Sequence, residues 1–211
     1  MEFTCRFICP PPQLTIVAVP IKAEYPVISD NVVITGPIIK EEVRGRLWKG
    51  GGDYLVVYVR ESNVELFPIF IEYAKKNNLK IYAYGNNSLV PMAKDDIVVR
   101  RTPSSLNFIN DVLSARLLIT AGGAGVIGEA AYTGAPTIII PEPGQPEQEM
   151  NGFLANRCYP NMAELKLKDF TLDNLERSVN LLHGLGERQM EDGTEDVIQA
   201  IIQFTQSVNL K

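Results

Sequence analysis

Residues 117–129 read Leu-Leu-Ile-Thr-Ala-Gly-Gly-Ala-Gly-Val-Ile-Gly-Glu: an apolar run, a cluster of glycines, then an acid. Glycines between a strand and a helix let the backbone approach an anion. The free N–H groups and positive end of the following helix then hold phosphate. Gly122, Gly123, Ala124 and Gly125 are therefore candidates for a diphosphate. Glu129 is expected at the end of the helix's first turn, where a carboxylate can accept hydrogen bonds from both hydroxyls of a ribose. A tight strand–helix connection needing small residues only for packing is the competing explanation.

A second cluster follows at Pro141-Glu142-Pro143-Gly144-Gln145-Pro146-Glu147-Gln148-Glu149-Met150-Asn151. Glu147 and Gln148 offer acceptors and donors, the chemistry needed to read sugar hydroxyls. An acidic helix start, favoured by the helix dipole, would look the same. Residues 123–128 also match G-x-G-x-x-G, and Glu142 follows at the end of the next strand, on paper a dinucleotide fingerprint. That fingerprint belongs to the first strand of its unit. Here at least three strands are expected before it, which argues against a nicotinamide cofactor.

The elements that must position these groups alternate regularly from residue 54 onward. Strands are expected at 53–59, 80–84, 96–99, 117–120 and 137–140, each rich in Val, Ile, Leu or Tyr. Helices are expected over 64–76, 106–113, from the glycines to about Tyr132, and over 146–157, 171–183 and 194–207. Short apolar strands separated by helices imply an α/β fold with a parallel sheet buried on both faces. Ligands of such sheets bind beyond the carboxyl ends of the strands. The first forty residues are different: prolines stand at 10, 11, 12, 20, 26 and 37, with two β-type runs at 14–19 and 31–35. We read residues 1–30 as a linker or remnant of another domain and 31–211 as the binding domain.

Composition bounds the partners. The chain has 211 residues, 45% hydrophobic and 21% charged, which suits a globular domain rather than a disordered one. Lys+Arg total 20 against 25 Asp+Glu, a net charge of -5, which disfavours nonspecific nucleic-acid binding. Three cysteines form no disulfide framework and fit a reducing, cytoplasmic setting. Cys5 and Cys9 lack a second ligand pair for zinc. The single histidine, His183, weakens any Ser-His-Asp mechanism within this chain. No uncharged apolar run is long enough to span a membrane.

The string of glycines 122, 123 and 125, Glu129, Gly134-Ala135-Pro136, Pro141, Glu147-Gln148 and Asn151 resembles the donor-binding domain of GT-B glycosyltransferases. The relatives in view are peptidoglycan-precursor N-acetylglucosaminyltransferases and UDP-glucuronosyl/glucosyltransferases. Residues 31–38 also look like that family's interdomain segment. The resemblance implies a Rossmann-like parallel sheet flanked by helices, the C-terminal half of a GT-B fold, binding a nucleotide sugar, with UDP-sugar as the expected donor. It implies that the backbone at Gly122–Gly125 faces the diphosphate, Glu129 the ribose, and Glu147 and Gln148 the transferred sugar. Arg101 would lie near the base or a phosphate, and Ser62 near the outer phosphate. No metal and no cofactor are expected, and the chain has no Asp-x-Asp pair.

There are departures from the pattern. Ala121 stands where many relatives carry His or Arg before the glycines, and Arg60-Glu61-Ser62-Asn63 lacks the glycines common after the first strand. Gly152 follows Asn151 where Ala is commoner. Transfer to a hydroxyl needs a general base, which the resemblance places on the other half. The partner implied is thus a missing N-terminal acceptor domain or a separate acceptor-binding subunit, with peripheral membrane association through that half. A sugar-nucleotide epimerase half and a non-catalytic nucleotide-binding module are the alternatives.

Overall fold

The computed structural model describes residues 12–21, 29–85, 90, 96–102 and 104–209. Cys5 and Cys9 lie outside these. Eight strands are present: β1 Thr15–Ala18, β2 Val32–Thr35, β3 Tyr54–Val59, β4 Lys80–Gly85, β5 Val98–Arg100, β6 Leu117–Thr120, β7 Thr137–Ile139 and β8 Met162–Glu164. Six α-helices accompany them: α1 Phe67–Lys76, α2 Ser105–Ser114, α3 Ala124–Thr133, α4 Pro146–Cys158, α5 Leu172–Leu181 and α6 Thr194–Asn209.

β3 to β8 form one sheet in the order β5-β4-β3-β6-β7-β8. Every pairing in it is parallel, with Leu55 opposite Leu117 and Val57 opposite Ile119 at its centre. This is the doubly wound Rossmann order, and the direction of winding reverses between β3 and β6. All four residues of β6 are buried, as expected of a strand covered on both faces.

The faces are covered unequally. On one face Leu55, Val57, Ile81 and Ile119 pack with Phe67, Phe70 and Ala74 of α1 and Leu175 of α5. On the other, Val56, Leu118 and Ile139 meet Val112 of α2, Ile127, Ala130 and Ala131 of α3, and Ala155 of α4. The alanines let α3 lie close to the sheet. Phe70 is fully buried, so its truncation to Ala would cost about 3–5 kcal/mol.

Local chemistry sets the boundaries. Pro68, near the first position of α1, starts that helix at Phe67, and Glu61–Leu66 before it form a 3-10 turn. The expected helix start at 64 is displaced for that reason. Ser104 caps α2 by accepting from the Asn107 N–H, and Thr171 caps α5 by accepting from the Asn174 N–H at 3.2 Å. Gly134 ends α3 in the left-handed region (φ 71°), where a Cβ would lie 2.5 Å from the Glu187 carbonyl. β8, which residue pattern alone did not reveal, extends the sheet beyond β7.

β1 and β2 form a separate parallel pair, Thr15 opposite Val32 and Ala18 opposite Thr35. They stand on either side of residue 30 in sequence, and α6 packs against both. The chain then returns to the main body. Pro37 lies against Gly128, and the Tyr159 hydroxyl donates to the Pro20 carbonyl at 2.9 Å.

Candidate nucleotide-sugar site

The winding reversal places the loops after β3 and β6 side by side at the carboxyl edge of the sheet, where doubly wound sheets open a crevice. The bend 121–123 after β6 is therefore at the switch point. Gly122 takes φ +92°, and a Cβ there would come within 2.8 Å of the Ile139 side chain. The buried Asn151 side chain, from α4, donates to the Gly122 carbonyl at 3.1 Å. Gly122 is thus fixed by strand packing and by a neighbouring helix.

Gly123 and Gly125 are different. A Cβ on either would meet no atom within 4 Å. Packing does not require glycine at these positions, and the space above them is open. Gly123 is the N-cap of α3 and offers no side chain to its amides; the first bond of the helix runs from Ile127 N–H to the Gly123 carbonyl at 3.1 Å. Among the described residues, no hydrogen bond engages the amides of Ala124, Gly125 and Val126. A helix end with free donors and no steric cover is an anion site in waiting.

Because α3 starts at Ala124, Glu129 lies in its second turn rather than at the end of the first. It is four residues beyond Gly125, so the two share a helix face, and its side chain tilts back toward the open end. Glu129 is 6% exposed. Its Oε1 meets the Lys40 Nζ at 2.8 Å, from the segment that precedes the main sheet.

Glu147 is exposed at the start of α4. Gln148 is buried, with its amide turned to the loop after β7: its Oε1 accepts from the Glu142 N–H at 3.0 Å, and its Nε2 donates to the Glu142 carboxylate at 3.3 Å. That carboxylate also faces Arg60 Nε at 3.7 Å. The loops after β3 and β7, which flank the bend, are joined by this pair. Ser62 falls within the 3-10 turn after β3, and its side chain lies outside the described residues.

Arg101 sits apart from the bend, after β5. Its Nε and Nη2 donate to both oxygens of Asp111 at 2.8 and 3.0 Å, and its guanidinium covers the Tyr82 ring at 4.8 Å. Tyr84 donates its hydroxyl to the same Asp111 carboxylate at 2.5 Å. Its bonds to Asp111 hold the guanidinium above its ordinary pKa, while burial, then the bond to Asp111, push the Tyr84 phenol up to about 12. The structure therefore brings together Gly122–Gly125, Glu129 and the start of α4, and gives Arg101 a part in holding α2 to the sheet. Lys40 and Asp111 were not anticipated. Asp111, an acid in the buried stripe Ile109, Val112 and Leu113, carried a signal in sequence; Lys40 carried none.

Between α4, the loop after β7 and the segment following β8, a groove of about 510 Å3 is lined by Pro141, Pro143, Glu149, Phe153, Lys166 and Leu167 among others. None of the sequence-predicted site residues lines it. No described helix is long and apolar enough to cross a membrane.

Comparison with known proteins agrees with this architecture. A family model described as Glycosyl transferase family 1 matches residues 3–181. No curated protein matches the chain. Among solved structures, the chain is similar to the glycotransferase of kitacinnamycin, with a TM-score of 0.64 and 16% identity over 84% of this chain and 49% of that one. It is similar to the calicheamicin glycosyltransferase CalG4 (TM-score 0.61, 15% identity, 98% and 54%). It is also similar to MurG of Acinetobacter baumannii (TM-score 0.59, 16% identity, 95% and 63%). At these identities the likeness is one of fold, a Rossmann-like domain of the GT-B type. The chain spans roughly half to three-fifths of the length of these structures.

Proposed function

The chain belongs to glycosyl transferase family 1, and from that premise we propose that it is the donor-binding, C-terminal half of a GT-B enzyme, taking a UDP-sugar. The observation that carries the reading is the open cradle at Gly123 and Gly125, with the free amides of α3 beneath it. The diphosphate lies over these amides, and Glu129 receives the ribose. Glu147 takes the transferred sugar, and Gln148 shapes that end of the site through the Glu142 loop.

In the reaction, an acceptor hydroxyl attacks the anomeric carbon and the bond from that carbon to the diphosphate oxygen breaks. The proton of the hydroxyl passes to a base, and the nucleoside diphosphate leaves as an anion. Charge building on the leaving oxygens is met by amides already in place, which need no reorganisation. The base and the acceptor site belong, in this reading, to an N-terminal domain or a separate subunit that attaches to the membrane surface, so the chain alone binds donor without transferring sugar. Residues 1–30 are then a linker to that half or a remnant of it, and residues 31–211 the donor domain. A reducing, cytoplasmic setting belongs to the same reading.

Calorimetric titration with UDP tests it. Binding is expected, and Glu129→Ala should weaken it by about 1–3 kcal/mol, the worth of a hydrogen bond to a charged group. No heat and no thermal shift at millimolar UDP would defeat the proposal.

A further inference from the structure

Lys40 projects from a fixed base. Its carbonyl accepts from the Val43 and Arg44 amides at 2.9 and 3.2 Å, and its neighbours Ile39 and Val43 are buried with Ile109, Leu113 and Tyr132. The Ile39 amide donates to Asp192, and Arg44 Nε donates to the same carboxylate at 2.8 Å. Only the side chain is free to choose its position, and it lies against Glu129 with its ammonium 2.8 Å from Oε1. The lysine side chain is 55% exposed and the glutamate 7%. A partner brought from so far along the chain to a buried acid, one helical turn from the open cradle, is more than a surface ion pair.

We infer that Lys40 sets how the site reads the pentose: by holding one oxygen of Glu129, it leaves the carboxylate a single hydroxyl to recognise. The site then accepts ribo- and 2′-deoxyribonucleoside diphosphates alike. This rests on the role proposed above for Glu129. A vicinal diol chelates a carboxylate through both oxygens, one hydroxyl to each. The ammonium–carboxylate contact carries charge on both sides, and although a carboxylate oxygen has a second acceptor position, the Glu129 side chain is only 7% exposed, so the ammonium over Oε1 stands where a second hydroxyl would have to enter. The 3′-hydroxyl, common to both sugars, takes the remaining oxygen.

The test is titration of the full chain with UDP and with 2′-deoxyuridine diphosphate, for the wild type, Lys40→Met, Lys40→Arg and Glu129→Ala, with melting curves alongside. The wild type should bind the two within about threefold. Lys40→Met should favour UDP by about tenfold, as the freed oxygen gains the 2′-hydroxyl. Lys40→Arg should keep the wild-type ratio, and Glu129→Ala should weaken both nucleotides equally. A wild type preferring UDP tenfold overturns the inference, and does so even where Lys40→Met fails to fold. An unchanged ratio in folded Lys40→Met overturns it too, as does a Lys40→Met protein that binds neither nucleotide while Lys40→Arg binds both. Where Glu129→Ala weakens binding but the ratios disobey, the pentose role of Glu129 stands and only the part of Lys40 falls. If the wild type binds neither nucleotide, or Glu129→Ala changes nothing, both readings fall.

Discussion

Asp111 in α2 and Glu129 in α3 are buried acids on neighbouring helices of the same sheet face, 8% and 6% exposed. Their surroundings differ. Asp111 is bonded at both oxygens: Arg101 reaches each of them, Tyr84 adds a third bond, and the stacked rings of Tyr54 and Tyr82 lie alongside. Glu129 has one partly exposed ammonium and, a turn away, two glycines facing open space. A carboxylate with both oxygens bonded within the protein holds structure together. One left under-used beside a cradle is arranged for something that arrives from solvent.

Between these two corners, the largest effect expected is at Asp111. Asp111→Ala leaves a guanidinium and a phenol without their shared acceptor and should cost about 3 kcal/mol in urea unfolding. UDP affinity of the folded variant should stay within threefold. A large loss of affinity would mean that the two corners are not separate. Next, Gly125→Val should fill the cradle and lower UDP affinity more than about tenfold while the melting temperature holds, since a Cβ there meets nothing. Gly122→Ala should do the reverse to stability, losing about 1–2 kcal/mol to its left-handed backbone. A Gly125→Val protein that binds UDP normally would show that the open space is not used.

The smallest effect is a pH dependence. Tyr84 has a folded pKa raised from 10.0 to about 12, so its contribution to stability is complete below pH 10 and is lost as pH rises through 12. Urea midpoints of the wild type should therefore fall more steeply between pH 10 and 12 than those of Tyr84→Phe. Parallel curves would mean that the phenol is not bonded to Asp111 in solution.

Much of this was legible in sequence because the signals were local. Short runs rich in Val, Ile, Leu or Tyr mark five of the six main strands, and the elements around 122–134 fall within a residue or two of their expected places. β8 escaped notice because three residues, Met162-Ala163-Glu164, show no periodicity. At α1 the apolar stripe extended back to Val64, yet Pro68 fixed the helix start further along. Glu129 was identifiable by its distance from the glycines, but Lys40 was not: it lies 89 residues earlier, in a segment with no pattern. Arg101 reads in sequence as a group for the base or a phosphate because its charge is visible there, while its partner, Asp111, lies in the next helix. Residue type announces what a side chain can do; only the tertiary neighbours decide whether that capacity is already used.

The register of β6 against β3 bears on the order of assembly. The pairing Leu55–Leu117 joins segments far apart in the chain, so a long loop must close before it can form. A folding intermediate holding only β3, α1 and β4 would have a sheet but no anion cradle. A nucleotide that binds the finished bend would therefore raise the melting temperature of the whole β3–β8 body, and slow its global opening, without protecting any partly assembled form.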